Sequence, residues 1–113
     1  MQNEVEAFLV IFKEKMRIWD VVFRDDRGKN LQTLVELELK PKDRTHILEN
    51  LHSSDYSSGP KQDRLYAGAD MWIFGVFIKN REVYIKITLG AKGCSVVCIS
   101  FYISEYPLVY PFK

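Results

Sequence analysis

The sequence predicts an α+β domain, with N-terminal helices packed on a mostly antiparallel β-sheet that ends in a three-stranded meander. Three observations carry this. Apolar residues recur at helical spacing through the first half of the chain. Runs rich in Val, Ile, Phe and Tyr follow at 71–78, 82–89 and 95–103, with connections short enough for antiparallel neighbours. Of the 113 residues, 47% are hydrophobic, enough for one domain to fill a core without a disulfide or metal staple.

The elements follow in order. Asn3 and Glu6 have the spacing of a capping box. Val5, Phe8, Leu9, Phe12 and Met16 then mark one face of a helix over residues 4–16. Ala7, Val10 and Ile11 widen its apolar arc, as on a helix covered on more than one side. Trp19, Val21 and Phe23 alternate with Asp20, Val22 and Arg24, which predicts a short half-buried strand, and a turn follows at 25–28. Asn30 is placed to cap a second helix carrying Leu31, Leu34 and Val35 on one face, although Val35, Leu37 and Leu39 also alternate like a strand. Beyond Pro41 a third helix carries Arg44, Ile47, Leu48 and Leu51. Residues 52–60, rich in Ser and closed by Gly59-Pro60, are expected to form a loop. The tail, with Pro107 and Pro111, cannot be a central strand and is expected to run extended along a surface or an edge.

Composition narrows the function classes. With 16 basic against 15 acidic side chains, a net charge of +1 argues against a polybasic DNA coat, though a local basic face is compatible with it. Cys94 and Cys98 share one face of an expected strand, too far apart within it to bond, and are read as buried free thiols in a reducing cytoplasm. The N-terminal segment has acidic residues before its apolar run and no small-residue cleavage pattern, so no signal peptide is expected. No apolar stretch approaches bilayer-spanning length, and a cytoplasmic location is expected. Metal motifs, glycine-rich phosphate cradles and nucleophile elbows are lacking, so no cofactor or metal is expected.

Chemistry concentrates on the strand at 82–89. Val83, Ile85, Ile87 and Leu89 form its core face, leaving Tyr84 and Lys86 on the other. A ribonuclease can use both: lysine to neutralise a scissile phosphate, tyrosine to stack a base or, given a lowered pKa, to help position a proton. The same alternation also describes the solvated face of an ordinary antiparallel sheet. The loop bearing Tyr56, Lys61 and Arg64 mixes aromatic and basic groups beside Gly59-Pro60 and is a second place for substrate contacts, or a plain connection. Lys79 and Arg81 flank a hairpin turn, within reach of phosphates or as surface charges. His46 and His52, six apart, fall on different helical faces and form no pair. Trp19 and Trp72 fit core packing better than a base-stacking platform.

Several segments together resemble the MqsR family of toxins, particularly its divergent Bacteroidetes-type group. Val83-Tyr84-Ile85-Lys86-Ile87-Thr88 is similar to the family's V-Y-[IL]-K-[IL]-[TS] strand, and Cys98-Ile99-Ser100-Phe101 to the V-S-F strand that follows it. Asp55-Tyr56 resembles its D-[FY] loop and Met71-Trp72 its [IL]-W position. Gly59-Pro60-x-x-Asp63, Asp70-Met71-Trp72-x-Phe74-Gly75 and the ending Glu105-Tyr106-Pro107-x-x-Tyr110-Pro111-Phe112-Lys113 look like that group's own signature. The match runs in order over residues 20–113.

The resemblance implies a RelE-like fold and a metal-independent ribonuclease that cleaves mRNA, an mRNA interferase of a type II toxin-antitoxin system. It also implies a cognate antitoxin protein, of helix-turn-helix type, that restrains the toxin. It carries a catalytic role over to Tyr84 and matches Lys86 to the lysine of the same motif; on the ribonuclease reading these two are the candidate catalytic residues, with Tyr56, Lys61, Arg64, Arg81 and Tyr102 as candidate RNA contacts. This chain departs from the better-known members at three places. Ser57-Ser58-Gly59 stands where they carry a lysine after D-F-Y, Ile73 where they carry glutamine, and Tyr102 where they carry a lysine after S-F. The residues thus leave two readings: an RNA-cleaving toxin, whose face should gather Lys86, Lys61, Arg64 and Arg81 into a basic hollow, or a protein-binding module with an apolar or mixed patch there.

Overall fold

The computed structural model describes residues 1–26, 28–62 and 68–113. Three helices and five strands run in the order α1 (Gln2–Trp19), β1 (Val21–Phe23), α2 (Gly28–Leu37), α3 (Asp43–Glu49), β2 (Tyr56–Lys61), β3 (Met71–Ile78), β4 (Arg81–Thr88) and β5 (Val96–Ile103). The fold is α+β, as the sequence predicts. The sheet order is β1-β5-β4-β3-β2. The pairings β2/β3, β3/β4 and β4/β5 are antiparallel, while β1 lies parallel to β5 at one edge.

The core lies between the helices and one sheet face. Val5, Phe8, Leu9, Phe12 and Met16 of α1 are all buried, as their spacing predicts, against Phe74, Val83, Ile85, Ile87 and Phe101. Each such side chain contributes about 1.5–3 kcal/mol by leaving water. Phe8 stacks on Trp72 with centroids 4.6 Å apart. On the other half of the apolar arc, Val10 and Ile11 are exposed.

Several local expectations are corrected. α1 is longer than residues 4–16 and begins without a side-chain cap, so Asn3 is helical rather than a cap. Trp19 ends that helix instead of opening a strand and is half-exposed, outside the core. The turn into β1 falls at Asp20, which takes a left-handed φ of 70° and accepts the Val21 N–H on its own carboxylate at 2.8 Å. Residues 52–60 are not wholly a loop. A 3-10 turn at Ser53–Asp55 leads into β2, an irregular edge strand that contains the cis Gly59–Pro60 bond. Cys94 precedes β5 and is exposed, so only Cys98 is a buried thiol.

The second helix is the most informative correction. Leu31 and Val35 are exposed, and the buried face is Asn30, Thr33, Leu34 and Leu37. β1 covers only the first part of the β5 edge, pairing with residues 96–98. Beyond it α2 supplies side-chain partners for the β5 backbone. Asn30 Nδ2 donates to the Ile99 carbonyl at 3.1 Å, Asn30 Oδ1 accepts the Phe101 N–H at 3.0 Å, and Thr33 Oγ1 accepts the Ile103 N–H at 3.0 Å. Strand-edge groups buried under a helix need such partners. Asn30 therefore sits inside the helix as an edge-pairing residue rather than at its cap. Lys79 closes the far end of α2, donating to the Leu37 carbonyl at 2.7 Å.

Candidate functional site

The register of β3, β4 and β5 sets the helix-free face. Gly75, Tyr84 and Tyr102 are cross-strand neighbours, as are Ile73, Lys86 and Ser100. Alternation puts Val83, Ile85 and Ile87 into the core, fully buried, and Tyr84 and Lys86 on the opposite side, as expected. That side is not open throughout, however. Ile73, Thr88 and Ser100 on it are buried, and the Thr88 hydroxyl donates to the Ala69 carbonyl at 3.2 Å.

The tail covers another part of this face. Leu108 N–H and the Tyr110 hydroxyl both donate to the Glu82 carboxylate, at 3.1 and 2.6 Å. This seats the tail over Gly75, where a Cβ would overlap the Tyr110 hydroxyl and lie 2.6 Å from Leu108 Cδ1. The tail then reaches the sheet edge, where Phe112 stacks on Tyr56 at 5.4 Å. The extended tail predicted from the sequence is thus a strap tied to β4.

Where the strap begins, a cleft of about 260 Å³ opens, lined by Tyr84, Tyr102, Glu105, Tyr106 and Pro107 among others. The Tyr84 and Tyr102 rings stack with centroids 5.1 Å apart and planes 18° from parallel. Burial, reinforced by Tyr102, pushes the Tyr84 phenol above its ordinary pKa, the opposite of the lowering that a role in positioning a proton calls for. The Lys29 ammonium lies 5.2 Å from the centre of the Tyr102 ring and forms an ion pair with Glu105. That hydrogen bond to Glu105 raises the Lys29 pKa. Two further recesses adjoin Tyr102. One, of about 280 Å³, is bordered by Lys29, Glu36, Arg81 and Glu105. The other, of about 300 Å³, is bordered by Gly28, Lys29 and Asn30.

The expected residues are only partly gathered. Tyr84 and Tyr102 meet, and Lys86 follows on the same strand face, outside the lining of the cleft. Arg81 borders the neighbouring recess, with its guanidinium 3.8 Å from Glu36. Tyr56 is a core residue: its ring meets Trp72 and Phe74 edge-on, and its hydroxyl donates to the Gly59 carbonyl at 2.5 Å. It offers no free face to a base. Lys61 pairs with Met71, at the far end of β3 from Gly75, so it stands apart from Tyr84. Arg64 lies outside the described residues. Among the described residues, Lys61 therefore does not join Lys86 and Arg81 around Tyr84, and the charges beside Tyr102 are mixed. Sequence reasoning missed Lys29 and Glu105. Lys29 reaches Tyr102 only because α2 docks on the β5 edge, which no local pattern announces.

Among the described residues no cluster of His, Cys, Asp and Glu could hold a metal ion, and no helix is long and apolar enough to cross a membrane. Comparison with protein families, with curated proteins and with solved structures gave no significant match.

Proposed function

We propose that the protein is an RNA-cleaving toxin of the mRNA-interferase kind, acting without a metal and restrained by an antitoxin protein. The observation that carries this reading is the stacked Tyr84–Tyr102 pair in a cleft beside a lysine, on the strand whose sequence resembles the toxin family's V-Y-x-K motif. Stacked phenols suit unpaired bases, and lysines suit the phosphates between them. In such a reaction the ribose 2′-oxygen attacks phosphorus and the bond from phosphorus to O5′ breaks, leaving a 2′,3′-cyclic phosphate and a 5′-hydroxyl. Tyr84 would give its proton to O5′, a step that burial makes harder by raising the phenol's pKa, while the 2′-hydroxyl proton passes to water. Lys86, one pleat along from Tyr84, would counter charge on the phosphate.

A second reading has its own support. Val10, Ile11, Ile18 and Trp19 leave apolar surface exposed on α1, which suits a protein-binding module on the same fold. The antitoxin would use such a surface in either case.

The test is induced expression in a bacterium, wild type beside Tyr84→Phe/Lys86→Ala, with growth and total mRNA followed in the same cultures. Growth arrest with mRNA loss confined to the wild type is the expected result. Intact mRNA and normal growth, with folded wild-type protein present, would overturn the nuclease in favour of the binding module.

A further inference from the structure

The Lys29–Glu105 ion pair stands where three hollows beside Tyr102 meet. Glu105 borders both the Tyr84 cleft and the Arg81 recess, and Lys29 borders that recess and the one at Gly28. Both side chains are more than half exposed, at 62% and 54%. An exposed ion pair adds little to stability and exchanges partners readily. Lys29 is nonetheless well aimed. Its neighbour Asn30 is fixed to the Ile99 carbonyl and the Phe101 N–H, which anchors the first turn of α2 against β5. The ammonium is held by the Tyr102 ring, which itself stacks on Tyr84.

We infer that Glu105 is a built-in stand-in for a phosphate: it parks the Lys29 ammonium over Tyr102, and a phosphodiester of single-stranded RNA displaces it and takes Lys29. The flanking base then enters the cleft at Tyr84 and Tyr102, and the chain continues through the recess toward Arg81. A carboxylate and a phosphate present the same anionic oxygens to an ammonium, so one geometry serves both. Single-stranded RNA is the substrate class because the rings engage base faces, which a duplex keeps stacked. This inference rests on the RNA-cleaving reading for its ligand, but it concerns binding and not cleavage.

It makes a prediction of unusual sign. Removing the carboxylate should tighten RNA binding, and only while Lys29 is present. The probe is a fluorescein-labelled, 2′-O-methylated single-stranded RNA of mixed sequence, which cannot be cut by 2′-hydroxyl attack. Anisotropy at fixed moderate salt gives Kd for the full chain and for Glu105→Gln, Lys29→Ala and the double variant, with thermal melts to verify folding. Glu105→Gln should bind on the order of threefold tighter, which is what an exposed ion pair withholds. Lys29→Ala should bind more weakly, and the double variant should match Lys29→Ala. If Glu105→Gln weakens binding or leaves it unchanged, the stand-in role is overturned. Equal tightening in the Lys29→Ala background also overturns it, since that is only the loss of a repelling charge. If none of the four proteins binds the probe, the inference falls together with the RNA reading. Binding with the predicted signs by a wild type that cuts no RNA would leave the inference standing and remove the nuclease.

Discussion

Arg44 closes both terminal guanidinium nitrogens on the Asp25 carboxylate, at 2.7 and 2.9 Å, from a position only 1% exposed. Its Nε donates to the Pro41 carbonyl at 3.0 Å, and the guanidinium lies 3.9 Å from the centre of the Phe23 ring. One side chain thus joins the start of α3 to the end of β1. A buried ion pair is costly to break from one side, because the remaining charge is left in a poor solvent. Asp25→Ala should therefore destabilise by about 3 kcal/mol, near the low end for such pairs because Asp25 is partly exposed. Arg44→Met, which removes the buried charge and keeps much of the volume, should cost less. Urea unfolding of the two variants decides it, and the reverse order would refute this account.

That pair also marks how far the sequence could be read. Arg44 falls at helical spacing with Leu48 and Leu51, so its inward direction was legible, but its partner Asp25 looked like a turn residue. The strands at 71–78, 82–89 and 95–103 were legible because a half-buried strand must alternate, and Val83, Ile85 and Ile87 do. α2 misled for the opposite reason. Its neighbour is a strand edge rather than an apolar face, so it buries Asn30 and Thr33 and leaves Leu31 and Val35 outside. At the candidate site the Tyr84 face was legible from alternation. The stacking of Tyr102 required the register between β4 and β5, and Lys29 required the docking of α2.

Asn30 is the residue on which that docking turns. Its Nδ2 donates to both the Arg24 and Ile99 carbonyls while its Oδ1 accepts the Phe101 N–H. Asn30→Ala takes the partner of the Ile99 carbonyl and of the Phe101 N–H away and should cost about 2–3 kcal/mol. Thr33→Val removes the hydroxyl that accepts the Ile103 N–H and should cost about 1 kcal/mol. Asn30→Asp keeps the acceptor but sets a carboxylate against two carbonyl oxygens, so it should be no better than Asn30→Ala. Chemical denaturation ranks the three, and a neutral Asn30→Ala would mean that α2 is held by its apolar residues alone.

The strap can be loosened where it crosses Gly75. Gly75→Ala puts a methyl where the Tyr110 hydroxyl and Leu108 Cδ1 now pack. Overpacking of this kind costs about 1–3 kcal/mol, and the tail yields more easily than β3. The Leu108 N–H, held by Glu82 in the wild type, should then exchange with solvent roughly tenfold faster or more. The fully buried amides of β4 should keep their protection. Amide exchange followed by NMR tests this, and unchanged protection at Leu108 would show that the tail does not depend on the bare backbone at Gly75. Because Leu108 also lines the Tyr84 cleft, the same variant should change access to that cleft.

The two thiols should behave oppositely. Cys94 is exposed and should react with a thiol reagent in the native protein, whereas Cys98 should react only as the chain unfolds. Cys98 is fully buried, its Sγ donating to the Ser100 carbonyl at 3.5 Å. Burial pushes its pKa from the ordinary 9.0 up to about 12; Arg44 opposes this and Asp25 adds to it. Below pH 9 the thiol is protonated in both folded and unfolded chains, so it makes stability no function of pH there. Between 9 and 12 the unfolded chain loses this proton while the folded chain keeps it, so stability falls as pH rises, by up to about 1.4 kcal/mol per pH unit from this group. Cys98→Ala removes that dependence. It should be less stable than wild type at pH 7, by about 1 kcal/mol for the small cavity left. Its disadvantage should then shrink, and can reverse, as pH rises from 9 towards 11. Parallel stability curves for the two proteins over that range would show that Cys98 ionises as readily in the folded chain as in the unfolded one, and that its burial does not hold the proton.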